Sequence, residues 1–135
     1  MIDKEIIKIA SNTENHGVLN NHTHFSRLKN SICGDEIKVY LIIEDNKILD
    51  FKYECESCIY CQASVSLLSK NAKNKSIEKV KKFTEQAINI FEKNLQSFDK
   101  ELKEFINIIK KNNISRKECV LLPFKTVAKA LNYKL

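Results

Sequence analysis

Three thiols fall within seven residues, Cys55-Glu-Ser-Cys58-Ile-Tyr-Cys61, and two more stand far from them: Cys33, in Cys33-Gly34-Asp35, and Cys119. The thiolate is the nucleophilic and metal-binding form of cysteine, and it selects soft or borderline metals. A carboxylate among thiols, as Asp35 is beside Cys33, adds a harder ligand that exchanges more readily. Three thiols and one carboxylate suit a tetrahedral Zn2+, or an iron–sulfur cluster with one oxygen ligand. For any of this the distant thiols must meet, so the chemistry depends on the elements that carry them.

Other readings of the same letters compete. Cys55, Cys58 and Cys61 match the first part of a bacterial ferredoxin run, but no fourth cysteine with a following proline comes close behind. Cys58-x-x-Cys61 has the letters of a redox thiol pair, without the parallel βαβ context such pairs usually have. A single cysteine is often a small buried hydrophobe, and that is the default for Cys55 and nearly so for Cys61. The three histidines, His16, His22 and His24, lie in a polar stretch from Asn12 to Asn30. With no cysteine or acid at ligand spacing beside His22-Thr-His24, that stretch reads as a surface loop.

The bulk numbers narrow the setting. The chain has 135 residues, 43% hydrophobic and 30% charged, which suits one domain over residues 1–135 with a modest core. An odd, crowded set of five cysteines is unlike a secreted disulfide framework. The N-terminal stretch lacks the unbroken apolar run of a signal peptide, and nothing approaches membrane-spanning length. The expected location is the cytoplasm. Net charge is +6, but Lys alternates with Glu and Asp, so the bases read as solvated faces rather than a nucleic-acid footprint. A structural-zinc module that binds a partner through this basic surface remains the rival from another class.

Period-2 alternation over Glu36 to Glu44 and again over Lys47 to Cys55, joined by Asp45-Asn46, predicts an antiparallel hairpin. Ile37, Val39, Leu41 and Ile43 share one face of the first run; Leu49, Phe51 and Tyr53 share one face of the second. Cys33-Gly34-Asp35 then enters the hairpin where Cys55 to Cys58 leaves it, and in an antiparallel pair those ends are neighbours. Phe25 and Leu28 belong to a first short strand. A short amphipathic helix is expected over residues 3–11, with Ile6, Ile7 and Ile9–Ala10 apolar. Ser57 is the expected N-cap of a helix running to about Ser69, which puts Cys58 in the first turn, where the dipole and unbonded N–H groups favour a thiolate. Ser76 caps a long helix whose stripe is Ile77, Val80, Phe83, Ala87, Ile90–Phe91 and Leu95. Phe98, Leu102, Phe105, Ile106 and Ile109 carry the stripe into a second segment. The last helix is expected to start near Pro123, with Val127, Ala128 and Leu131 inward and Cys119 in the turn before it.

The order of these pieces resembles the U-type iron–sulfur cluster scaffold family: IscU, SufU and the NifU N-terminal domain. The likeness rests on Asn30-Ser-Ile-Cys33-Gly-Asp35, then the hairpin, then Cys58-x4-Ala63-Ser-x-Ser66-Leu67, then Arg116-x-x-Cys119-x-x-Leu122-Pro123. Asn12-x-x-Asn15-x-Gly17 resembles an early motif of the same family. The resemblance implies an α+β fold, with a three-stranded antiparallel sheet packed against several helices. It implies that Cys33, Asp35, Cys58 and Cys119 hold zinc or a nascent [2Fe–2S] cluster. It also implies a cysteine desulfurase as sulfur donor, downstream iron–sulfur proteins as acceptors, and no nucleic-acid or membrane partner. Glu118 stands where the IscU type has a histidine, and a longer stretch separates the second and third site cysteines. Both features are closer to SufU, which implies a zinc-dependent sulfur relay rather than a non-enzymatic scaffold. On this reading Cys119 accepts sulfur, Asp35 is the exchangeable ligand, and Cys33 and Cys58 anchor the metal. Cys55 and Cys61 depart from the family pattern; as extra thiols they are free to compete for metal or to accept persulfide sulfur.

Overall fold

Alternating apolar residues build the sheet that everything else packs on. In this computed structural model, which describes residues 4–30, 34–93 and 117–132, β1 (His24–Lys29), β2 (Glu36–Glu44) and β3 (Lys47–Glu56) lie antiparallel in the order β1-β2-β3. Leu28, Ile37 and Cys55 share one row across the sheet; Ser26, Val39 and Tyr53 share the next but one. These rows face the helices. Asp45 and Asn46 take φ of 51° and 63°, the positive values a two-residue turn of this kind needs.

One expected face is wrong. Leu49 is 41% exposed, while Ile48 is fully buried. Ile43 pairs with Ile48 and Ile42 with Asp50, so Leu49 is the extra residue of a bulge. The bulge turns Ile48 inward and presents its backbone to the next connection: Ile48 N–H donates to the Lys75 carbonyl, and Asn74 N–H donates to the Ile48 carbonyl.

Among the described residues four helices pack with the sheet. In α1 (Lys4–Ala10) Ile6 is buried, but Ile7, expected on the apolar side, is 45% exposed. In α2 (Ile59–Ala72) nine residues are buried, from Cys61 to Ala72, because the helix is covered by α1, β3 and α4 together. The α3 helix (Ile77–Lys93) is capped as expected, Ser76 Oγ accepting the Lys79 N–H at 3.1 Å, and it buries Val80, Phe83 and Ala87. The rest of that stripe, from Ile90 to Ile109, lies outside the described side chains.

The last helix corrects the sequence reading. It is α4, Lys117–Ala130, so it begins six residues before Pro123 and places Cys119 in its first turn. A proline inside a helix costs about 3 kcal/mol. Burying Val120, Leu121, Phe124 and Val127, each at most 1% exposed, offsets this at ~1.5–3 kcal/mol apiece. Ser64 Oγ on α2 also donates to the Val120 carbonyl at 2.6 Å, tying α4 to the central helix just before the proline. Leu131, expected inward, sits half-buried beyond the helix end. Among the described residues no helix is long and apolar enough to cross a membrane.

Candidate metal and sulfur site

Three elements converge at the open end of the β2–β3 hairpin. Asp35 immediately precedes β2, after Gly34, whose φ of +77° is a conformation that other residues adopt only with strain. Gly34 N–H donates to the Asn30 carbonyl, and Asn30 N–H donates to the Asp35 carbonyl, which ties the end of β1 to the approach to β2. Cys58 leaves β3 and starts α2. Cys119 occupies the first turn of α4.

The ligand atoms of Asp35, Cys58 and Cys119 all lie within 4.8 Å of one another. Asp35 and Cys119 are 5% and 4% exposed; Cys58 is half-buried. Cys33 lies outside the described residues. Cys58 is itself the N-cap of α2, with extended backbone (φ −69°, ψ 165°), where Ser57 was expected in that role. The cap has no side-chain hydrogen bond within the helix. Instead the Cys58 N–H donates to Asp35 Oδ1 at 3.0 Å, so the carboxylate satisfies the N-cap's own amide from outside the helix. The other oxygen, Asp35 Oδ2, is buried with no hydrogen-bond partner among the described residues. A buried carboxylate oxygen left unpaired costs free energy unless a cation completes it. Two sulfurs and that oxygen are a donor set that zinc or an iron–sulfur cluster accepts. Zinc or iron therefore fits the residues present.

The neighbouring thiols separate into two kinds. Cys61 is fully buried, and burial pushes its thiol far above the ordinary range. A thiol held protonated in the core is a poor member of a redox pair, which weighs against Cys58-x-x-Cys61 as a dithiol switch. Cys55 is half-buried rather than a core residue; burial raises its thiol, a hydrogen bond with Ser57 opposes this, and the Asp35 charge adds to it. Glu118, in the place of the family histidine, pairs with Lys125 at 2.9 Å on the partly exposed side of α4.

The early loop packs along the free edge of β3. Tyr53 N–H donates to the Asn15 carbonyl, and Gly17 N–H to the Tyr53 carbonyl. Asn15 is buried and its Nδ2 donates to Ser69 Oγ, while Ser66 Oγ donates to the Asn12 carbonyl. This brings His16 edge-on to Tyr53 and into the clefts beside Cys55, a position that no spacing in the sequence signals. Tyr53 is raised to about 12 by burial first and the nearby Cys55 second. His22 and His24 make local bonds, to the Leu19 carbonyl and the Thr23 hydroxyl, as a surface loop would.

Residues 1–108 match the family described as NifU-like N terminal domain. This chain belongs to that family. The NifU-like chain is 30% identical over 133 residues to the iron-sulfur cluster assembly scaffold protein IscU of Thermotoga maritima, covering 97% of this chain and 92% of that protein. It is 34% identical over 67 residues to the zinc-dependent sulfurtransferase SufU of Bacillus subtilis, covering 50% of this chain and 45% of that one. Its fold matches a solved structure from Fervidobacterium islandicum, described as an iron-sulfur cluster assembly scaffold protein for the SUF system, with a TM-score of 0.89 at 28% identity over 96% of both chains. A NifU-like protein from Brucella abortus matches with a TM-score of 0.86 at 23% identity, a likeness that speaks to the fold alone. The U-type scaffold family and its α+β fold, with a three-stranded antiparallel sheet, are thus those of the NifU-like chain.

Proposed function

We propose that this protein is an iron–sulfur cluster assembly protein that takes sulfur from a cysteine desulfurase and holds zinc or a nascent [2Fe–2S] cluster as cargo. The observation that carries this is the meeting of Asp35, Cys58 and Cys119 around one point, with Asp35 Oδ2 buried and unpartnered among the described residues. Cys33, two residues before Asp35 in sequence, is assigned as the fourth ligand. Zinc, when bound, keeps its thiol ligands deprotonated.

The chain's own residues do the rest. Asp35 holds the start of α2 by accepting the Cys58 amide, and so keeps the Cys58 sulfur turned to the site. Cys119 stands in the first turn of α4, where helix N–H groups favour a thiolate, and it is assigned as the sulfur acceptor. Burial of Asp35 and Cys119 excludes water from the thiols. A sulfur relay of the SufU kind is favoured over an IscU-like scaffold. What supports it is Glu118, which is engaged with Lys125, so that no histidine precedes the last cysteine. The relay acts on this single domain, residues 1–135, in the cytoplasm.

The test is sulfur uptake by zinc-loaded protein from a desulfurase and cysteine, with the metal content measured on the same sample. Cys119→Ser is expected to abolish stoichiometric persulfide on the site while metal is retained on the remaining ligands. Undiminished persulfide on Cys33 or Cys58 in that variant would refute the role given to Cys119.

A further inference from the structure

Two clefts open beside the site, and His16 and Cys55 line both of them. The larger, about 260 Å3, wraps the end of β3 and is also lined by Lys38 and three glutamates of the outer sheet face. The smaller, about 200 Å3, lies under the early loop against Thr13, Tyr53 and Gln62. Cys55 is thus reached from outside along two routes. On its inner side it adjoins the site: it pairs across the hairpin with Ile37, two residues after Asp35, and precedes Cys58 by three residues. Asp35 and Cys119 are almost wholly buried, and Cys58 is committed to them. Cys55 is the half-buried thiol of this cluster that the Asp35–Cys58–Cys119 trio does not use.

Resting on the function proposed above, we infer that Cys55 is a holding thiol for sulfane sulfur. It takes the outer sulfur of a cysteine persulfide presented in the His16 cleft and passes it to the site. The exchange moves a proton off the attacking thiol, and the imidazole of His16, which lines both clefts with Cys55, is the base that both offer. His16 takes the Cys55 proton, and the Cys55 sulfur attacks the outer sulfur of the donor persulfide. A bond forms between those two atoms as the donor's own S–S bond breaks. The electron pair leaves on the donor thiolate, which the imidazolium protonates. The products are a donor thiol and a Cys55 persulfide, with no net oxidation. The onward step is the same exchange, with a site thiol as the nucleophile.

The probe is glutathione persulfide added to the reduced full chain, followed by alkylation and peptide mass spectrometry to locate the added sulfur. Sulfane sulfur is expected on Cys55 early in the wild-type reaction, and it is expected to accumulate there in Cys119→Ser. His16→Asn is expected to slow Cys55 loading by about tenfold or more, and added imidazole to restore it, since a positioned general base contributes ~10²–10⁴-fold. An unchanged rate overturns the role of His16. Sulfur on Cys119 with none on Cys55, at any time and in either protein, overturns the holding thiol and leaves uptake at the site standing. Sulfur on neither overturns both readings.

Discussion

The β2–β3 hairpin has two ends, and they are finished in opposite ways. At the turn end the chain satisfies itself. Asn46 takes positive φ, its side-chain amide donates to both Glu78 carboxylate oxygens, and its carbonyl accepts the Ile77 N–H. Ser76 caps α3 beside it. At the open end Asp35 completes only half of its bonding, and thiols from two further elements gather around the other half. The same strand pair therefore carries a closed structural end and an end that asks for something from outside. Stability is expected to reside in the first and ligand affinity in the second.

Three changes put that division to the test. The largest effect belongs to Asp35→Asn, which retains an acceptor for the Cys58 amide but removes the charge. Zinc affinity, followed by competition with a chelator, is expected to fall by more than about a hundredfold, beyond the ~10–100-fold typical of losing a group that only supports a ligand. Urea unfolding of the metal-free protein should move by less than about 1 kcal/mol, because a buried, unpaired oxygen is a cost and not an asset. If metal-free stability collapsed instead, the open end would be structural and the division would fail. Asn46→Ala is the mirror experiment. It puts a side chain without local hydrogen bonds at positive φ and removes the bonds to Glu78. A loss of about 1–3 kcal/mol is expected, with zinc affinity unchanged. The smallest effect is on pH dependence. The hydrogen bond from Asn46 holds the Glu78 carboxyl below its ordinary value. A depressed folded-state value means its contribution is present at neutral pH and lost as pH falls from the ordinary carboxylate range through the folded value. Glu78→Gln should therefore flatten the acid limb of a stability–pH curve slightly and leave the neutral plateau in place.

The turn end was far more legible in the sequence than the open end, for a physical reason. Asp45-Asn46 and Ser76 act through bonds to residues close by in the chain, and local chemistry leaves a local signature. The strands were legible because burial on one face imposes a period of two. Even there, the bulge at Leu49 escaped, since it answers to the backbone of Asn74 and Lys75 rather than to its own neighbours. At the open end hairpin geometry made Cys33-Gly34-Asp35 a neighbour of Cys55 to Cys58, and the family resemblance singled out Cys58. The start of α2 was not legible, because the group that satisfies the Cys58 amide lies far off in the chain, just ahead of β2, and no nearby letter announces it. The start of α4 was misplaced because a local rule about proline was outweighed by the core that Val120, Leu121 and Phe124 enter. Cys55 and Cys61 look equivalent in the sequence, six residues apart and flanking Cys58. Only the packing of α2 sends one into the core and leaves the other at the clefts.

The Asp35 carboxylate deals with two clients at once, one oxygen holding a peptide group and the other turned to the thiols. Electron density drawn toward a cation by one oxygen is withdrawn from its twin, so the grip on the Cys58 amide slackens as the cation arrives. Loading and unloading are thereby transmitted to the first peptide unit of the central helix. That single N–H is a built-in gauge of whether the protein is empty or full, legible from its resonance frequency without touching a sulfur atom.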